Sequence, residues 1–370
     1  MNRKPIMSLV QKRRKTRQIR VGNVAVGSEA PVSVQSMTNT RTRDVTATVR
    51  QIKSLAAAGC EIIRVAVPEM ADAGAIRQIK DQVAIPVIAD IHFDYRLALA
   101  AAESGADALR INPGNIGARH KVKKVVDCAK THGISIRIGV NAGSLEKEIE
   151  KRLGATPQAM MESGLANIRI LEDLGFYDIK VSLKASDVAR TVAAYQLLAQ
   201  KTDVPFHVGI TEAGGLYAGI TKSAIGIGML LAQGLGDTIR VSLTRDPVEE
   251  IRTGYEILRA LGLRNRGPEI ISCPTCGRCR IDLFKIAQDV EKALLECDSQ
   301  IKVAIMGCVV NGPGEAKEAD IGIAGADGTG IIFKKGRVFK KVAQDQLVTQ
   351  LLYEIDKMTQ NSEDVNGSKE

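Results

Sequence analysis

The sequence predicts a (β/α)8 barrel, a TIM barrel, followed by a small α/β domain, and three observations carry that expectation. From Pro31 to Gly262 the hydrophobic pattern switches between period 2 and period 3.6, which marks strands alternating with helices and hence a parallel sheet. The alternation repeats eight times, the number that closes a barrel. A cysteine-rich run, Ile271 to Cys279, begins where the alternation ends and so separates a second domain from the first.

Taken in order, the strands read VSVQSMT (Val32 to Thr38), EIIRVAV from Glu61, PVIADI from Pro86, DALRIN from Asp107, SIRIGVN from Ser135, DIKVSLK from Asp178, PFHVGIT from Pro205 and DTIRVSLT from Asp237. A helical pattern follows each one. Asp44 is placed to cap the helix that runs to Ala58, and Asp246-Pro247 sets a capping acid ahead of a proline at the first helical position. Beyond the barrel the pattern gives a helix over Ile281 to Glu296, strands at KVAIM from Lys302, DIGIAG and GIIFKKG, and a last helix from Ala343 to Met358. The expected boundaries are a solvated basic arm at 1–20, the barrel at 21–264, the cysteine domain at 268–358 and a disordered polar tail at 359–370.

Composition limits the function classes. With 370 residues, 45% hydrophobic and 25% charged, the chain is neither disordered nor collagen-like, and it can bury two cores. No apolar run is long enough for a membrane span and the N-terminus lacks a secretory apolar core, so a cytoplasmic protein without membrane partners is expected. The net charge of +9 suggests nucleic acid until it is located. Eight basic residues and no acid fall within residues 1–20, leaving about +1 for the rest. With 3% aromatics available for stacking, nucleic acid is not expected as a partner.

The barrel strands carry an unusual interior. Arg64, Arg110, Arg137, Lys180, His207 and Arg240 each lie between apolar neighbours, with a small or polar residue two positions later: Ala66, Asn112, Gly139, Ser182, Gly209 and Ser242. At period 2 each pair shares one face of its strand. A further step of two reaches Asn141, Lys184 and Thr211 at the C-terminal ends, where barrel enzymes keep their active sites. Asp90 and Glu212 are the acids at that end, whereas Asp107, Asp178 and Asp237 lie at strand starts. Cations outnumber acids at the top, and a desolvated cation without a partner is costly. A bound phosphate or diphosphate ester accounts for them.

Of seven cysteines, Cys60, Cys128 and Cys297 read as structural, and the compartment argues against disulfides. Cys273, Cys276 and Cys279 form the dense group, and Cys308 follows in the loop MGCVVNGPGEA. A zinc ribbon lacks its second Cys-x-x-Cys pair near Cys308, and a bacterial ferredoxin run would need Cys where Leu283 stands. The Cys-x-x-x-Cys-x-x-Cys spacing of enzymes that use S-adenosylmethionine for radical chemistry is also missing. An iron-sulfur site on Cys273, Cys276 and Cys308 remains, its fourth ligand being either Cys279 or an oxygen ligand such as Glu315.

QSMTNTRT, ADIHFDYRLAL, LRINPGNIG, RIGVNAGSLEKE, KASDV, GITEAGG, GDTIRVSL, CPTCGR and GCVVNGPGEA occur in this order between about Arg13 and Lys357. In these motifs the chain resembles the bacterial 4-hydroxy-3-methylbut-2-enyl diphosphate synthases, in the short form without the extra domain of plant members. The resemblance implies reductive ring opening and dehydroxylation of 2-C-methyl-D-erythritol 2,4-cyclodiphosphate in the methylerythritol phosphate route to isoprenoids. It implies a 4Fe-4S cluster on Cys273, Cys276, Cys308 and Glu315, with Glu315 giving way to substrate, and it makes Cys279 a bystander. By the same resemblance Arg64, Arg110, Arg137, Lys184, Arg240 and Ser242 hold the diphosphate, and His92, Asn112, Asn141 and Thr211 orient the remainder. Glu212 becomes the proton donor or the group that positions the opened ring, Asp90 orients its neighbours, and Lys180 and His207 pack deeper with internal partners. Flavodoxin or ferredoxin is the implied electron donor. The implied assembly is a homodimer in which the cluster domain of one chain covers the barrel of the other.

Two other readings compete. An iron-sulfur or zinc RNA-binding protein would use the basic arm and leave the barrel cations unexplained. A pterin-type or methyl transferase barrel with an accessory cluster would not turn over the cyclic diphosphate reductively.

Overall fold

The computed structural model describes residues 9–295, 297–308, 316–326 and 328–366, with side chains to residue 360. The chain divides into two compact units, Met1–Arg264 and Asn265–Glu370. Among the described residues no helix is long and apolar enough to cross a membrane.

The first unit is the expected barrel. Its strands are β3 (Ser33–Met37), β4 (Ile62–Ala66), β5 (Val87–Asp90), β6 (Ala108–Ile111), β7 (Ser135–Asn141), β8 (Ile179–Lys184), β9 (His207–Val208) and β10 (Thr238–Ile239). They lie parallel in the order β8-β7-β6-β5-β4-β3-β10-β9, and a parallel bridge between Val181 and Phe206 joins the two ends. The helices that return the chain are α1 (Val45–Ala57), α2 (Met70–Lys80), α3 (Tyr95–Glu103), α5 (Arg119–His132), α7 (Pro157–Glu172), α8 (Val188–Ala199), α9 (Leu216–Ala232) and α10 (Pro247–Ala260). Two short helices, α4 (Pro113–Ile116) and α6 (Lys147–Leu153), are extra pieces in the loops after β6 and β7. The expected caps form: Asp44 accepts from the Ala47 amide at 3.0 Å and Asp246 from the Val248 amide at 2.9 Å, with Pro247 opening α10. Outward-facing strand residues such as Val65, Leu109, Ile138 and Val181 join helix residues such as Ile76, Val126 and Leu198 in one core.

The solvated arm expected at 1–20 is corrected from Gln11 onward, while residues 1–8 of it lie outside the described residues. The Gln11 amide donates to the Ala232 carbonyl at 2.8 Å and the Arg14 amide to that of Gly234 at 3.0 Å. Arg13 pairs with buried Asp237 at 2.6 Å, Arg14 lies 4.0 Å from the centre of the Phe206 ring, and Arg17 bonds Asp203 and Glu172. Internal acids and carbonyls therefore hold three of the arm's cations. The chain continues into a hairpin of β1 (Ile19–Val21) and β2 (Val24–Val26), whose Ile19, Val21 and Val26 pack on Ile62, Ile88 and Ala108. These last three sit two residues before Arg64, Asp90 and Arg110, so the interior is apolar at its N-terminal end and charged above.

The second unit is a five-stranded sheet in the order β11 (Glu269–Ser272), β12 (Lys302–Met306), β13 (Ile321–Ala326), β14 (Thr329–Lys334) and β15 (Arg337–Ala343). The first three strands run parallel and the last two are added antiparallel. α11 (Leu283–Ala293) and α12 (Leu347–Asn366) cover it through Ile286, Val290, Leu347, Leu351 and Ile355. β11 and β15 were not expected, and α12 continues to Asn366 through the segment expected to be disordered. β15 is exposed along nearly its whole length, so it has no inside-outside alternation to read.

Asp237 accepts from both Arg13 and the Phe206 amide, the latter at 2.7 Å. Asp237→Ala strands a guanidinium and a buried amide at once and is expected to cost about 3 kcal/mol, read as a lower urea midpoint.

Candidate active site

The strand registers set the site. Asp90 lies opposite Arg110, Arg110 opposite Arg137, and Arg137 opposite Lys180, so four adjacent strands carry one carboxylate and three cations in a row. Neighbouring strands are about 4.8 Å apart, so these side chains share one space. Asp90, 4% exposed, accepts from Arg110 at 3.1 Å and lies 3.3 Å from Arg64. Burial alone would raise the Asp90 carboxyl, but Arg64, Arg110 and Arg137 hold it down at about 2. Burial lowers Arg64 to about 10 in spite of Asp90. The two arginines thus share one acid.

Small residues make the row possible. A Cβ on Gly139 would stand 2.3 Å from Arg110 Nε, and one on Gly209 would stand 2.9 Å from Lys184 Nζ. The glycines two places after Arg137 and His207 thus leave room for a cation from the neighbouring strand.

Above the row lies a cavity of about 140 Å³ lined by Arg64, Asp90, His92, Arg110, Arg137, Asn141, Ser182, Lys184, Thr211, Arg240 and Ser242. Nine expected site residues are therefore together here. Arg240 is met by Glu250, whose oxygens lie 3.3 Å away and also accept from Ser36 and the Leu243 amide, each at 3.0 Å. Sequence reading missed Glu250. Its only signal was its place in the first turn of α10, just after the Asp246-Pro247 start and at the strand-top end of that helix. Arg137 reaches Ser182 Oγ at 3.5 Å, and Lys184 Nζ lies 3.2 Å from His207 Nε2. Among the described residues five cations thus reach this cavity against two carboxylates, Asp90 and Glu250. His92 is 58% exposed, 3.8 Å from Asp90, and burial with Arg110 and Arg64 beside it lowers its imidazole below the usual range. It stands neutral at the rim near neutral pH.

Two expected residues are elsewhere, and a third is not described. Asn112 is buried and caps α4, accepting from the Gly114 amide at 3.1 Å. Glu212 is exposed outside the cavity lining, with a left-handed backbone at φ 52°. Glu315 lies outside the described residues. Of the internal partners expected for Lys180 and His207, His207 meets Lys184, whereas the Lys180 Nζ has no hydrogen-bond partner among the described residues.

In the second unit, β11 and β12 run side by side with Ser272 opposite Ile305, so Cys273 leaves its strand beside the turn that carries Cys308. The Gly307 amide donates to Cys273 Sγ at 3.3 Å, and a Cβ at Gly307 would stand 2.7 Å from Cys279 Sγ. Cys276 is exposed on the following turn, where Thr275 adopts φ 66°. Cys279 donates its thiol hydrogen to the Ile281 carbonyl at 3.2 Å, as a protonated sulfur does. Among the described residues no three His, Cys, Asp or Glu are gathered as a finished metal site. The donor set still fits an iron-sulfur group, since soft thiols at the ends of adjacent strands, one already receiving a backbone N–H, are what such clusters use. Cys60 is a different case, buried and pushed up to about 12 by desolvation, which leaves it inert.

Asp90→Asn leaves Arg64 and Arg110 without a carboxylate and is expected to cost about 3 kcal/mol near neutral pH. The native Asp90 carboxyl titrates below its ordinary 3.8, so its contribution is complete above that value and fades as pH falls toward about 2. Urea unfolding at a series of pH values therefore shows the gap between variant and native chain narrowing below about pH 4.

Comparison with known proteins follows the same division. Residues 16–255 match the family described as GcpE TIM-barrel domain, and residues 269–357 match the GcpE protein C-terminal domain. The chain is similar to the 4-hydroxy-3-methylbut-2-en-1-yl diphosphate synthase (flavodoxin) of Geobacter sulfurreducens, 60% identical over 93% of this chain and 98% of that protein. Proteins of the same name from Desulfotalea psychrophila and Caldanaerobacter subterraneus subsp. tengcongensis are 60% and 59% identical, covering 93% and 95% of this chain and 95% and 99% of theirs. With both domains matched and nearly every residue of these relatives covered, the chain belongs to the GcpE family.

Proposed function

We propose that this chain is an iron-sulfur oxidoreductase that opens 2-C-methyl-D-erythritol 2,4-cyclodiphosphate and dehydroxylates it to 4-hydroxy-3-methylbut-2-enyl diphosphate. The observation that carries the reading is the cavity at the strand tops, where cations exceed carboxylates and the surplus is enough to receive a dianionic diphosphate. The names of its relatives point to the same reaction.

Arg137 and Lys184 have no carboxylate of their own in the cavity, which supports them as the strongest ligands for the diphosphate oxygens. Arg64, Arg110 and Arg240, each sharing an acid, complete the clamp with the Ser242 hydroxyl. His92, Asn141 and Thr211 line the same cavity and orient the carbon skeleton. Asn112 acts at one remove, through the turn it caps beside them. Glu212 is the proposed proton donor at the opened ring, and its strained backbone at the C-terminal end of β9 supports a functional role, since such strain concentrates where function holds it.

Cys273, Cys276 and Cys308, with Glu315, are the residues that would hold a 4Fe-4S cluster, which when bound supplies the single electrons that side chains cannot carry. The Gly307 amide stabilises negative charge on Cys273, and the Cys279 thiol stays outside the ligand set. The proposed donor is flavodoxin, as in the relatives' names. The proposed assembly is a cytoplasmic homodimer in which each site uses two chains, and a fully active monomer in sedimentation-matched assays overturns it.

The direct test is anaerobic turnover of the cyclic diphosphate by iron-reconstituted protein with a chemical one-electron reductant. The butenyl diphosphate is the expected product, and an intact, reducible cluster that yields none overturns the reading. Cys308→Ala is expected to lose the cluster absorbance while Cys279→Ala keeps it. Lys184→Met should weaken substrate binding about 10- to 100-fold, the worth of a charged hydrogen bond in a dry site.

A further inference from the structure

Lys180 and His207 are interior residues to which the diphosphate reading gives no task. They are 0% and 1% exposed. Lys180 sits on β8 opposite Arg137, and its Nζ has no hydrogen-bond partner among the described residues. His207 begins β9 with Nε2 at 3.2 Å from Lys184 Nζ, while its Nδ1 has none.

The charged groups that face this layer come from every side of the barrel. Arg64 on β4, Arg110 on β6, Arg137 on β7, Lys184 on β8 and Arg240 beyond β10 are cations, and the facing acids among the described residues, Asp90 on β5 and Glu250 on α10, are bound to Arg64 and Arg110 and to Arg240. Beneath β4, β5 and β6 the interior is apolar, where Ile62, Ile88 and Ala108 meet the β1–β2 hairpin. A buried ammonium with cations beside it and no acceptor is costly, so in the empty barrel the Lys180 amine is neutral. Burial first, and then Arg137 and Arg64, lowers Lys180 well below its ordinary range. Burial and neighbouring cations do the same to Lys184 and His207. An arriving dianion reverses that field.

We propose that Lys180 and His207 form a proton-accepting layer beneath the anion site, so that entry of the cyclic diphosphate draws protons from solvent onto this layer and fixes Lys180 as a positioning residue for Arg137. The inference rests on the diphosphate reading. The balance is simple: one proton leaves solvent for the Lys180 or His207 nitrogen as two negative charges enter the cavity beside it, and no bond of the ligand changes. The ligand contributes none, because each phosphorus of a cyclic diphosphate ester carries a single, strongly acidic oxygen that stays ionised near neutral pH. Any proton taken up therefore lands on the protein.

The experiment is calorimetric titration of 2-C-methyl-D-erythritol 2,4-cyclodiphosphate into the full-length, cluster-reconstituted protein, anaerobically and without reductant, in neutral buffers of different ionisation enthalpy. The slope of observed heat against ionisation enthalpy counts protons. About one proton is expected to be taken up per ligand, with affinity falling as pH rises, because the complex holds more protons than the free protein. In Lys180→Met the uptake and the pH slope both shrink, a result that loss of packing alone does not give. Binding without uptake in the native chain overturns the inference and leaves the functional reading standing, and this measurement needs no variant. Uptake that Lys180→Met and His207→Asn both retain in full also overturns it. A native chain that does not bind the cyclic diphosphate overturns both.

Discussion

The fold must hold three cations and a single carboxylate in one buried row. Asp90, Arg110, Arg137 and Lys180 face inward from four adjacent strands, and hydrogen bonding between the strands fixes their separation. A rigid parallel barrel cannot spread them apart. Other features follow from this constraint. Glycine at 139 and 209 gives the cationic side chains room to cross, and Glu250 is brought in from a helix to balance Arg240. The apolar layer below closes the route by which solvent would otherwise relieve the repulsion. The barrel interior is thus built short of negative charge.

Much of this arrangement was legible in the sequence. Period 2 puts a residue and its second neighbour on one face, so a cation followed two places later by Gly, Ser or Asn shows both the charge and the space for it. Glu250 was not legible in the same way, because it reaches Arg240 from a helix and no strand periodicity announces a contact between layers. The N-terminal arm misled for a related reason. A run of arginines looks the same whether water or carbonyl oxygens surround it, and the Asp237 and Val204 groups that receive Arg13 and Arg14 are far away in sequence. Asn112 fits the strand pattern of a ligand yet spends its amide oxygen on a turn.

The second unit was harder to read. Its parallel strand β11 is four residues long, half-exposed and next to the cysteines, so neither length nor alternation set it apart from a loop. That strand nevertheless brings two distant cysteines together, because it delivers Cys273 beside the end of β12. Cys279 shows the limit of spacing as an argument. Sequence alone left it as a possible ligand, and only the fold shows its Sγ 3.2 Å from the Ile281 carbonyl oxygen.

The docked arm has a consequence for how the chain is made. Arg13 finds its carboxylate 224 positions later, and the Gln11 and Arg14 amides wait for carbonyls at Ala232 and Gly234. During synthesis these first residues leave the ribosome long before their acceptors exist. The N-terminal mouth of the barrel can be fastened only after nearly the whole first unit has been translated, so closure is a late event with a large loop to pay for. Until then a strongly basic, unfastened leader trails from the nascent protein, and holding it clear of the anionic ribosomal surface becomes a task for whatever meets the chain at the exit.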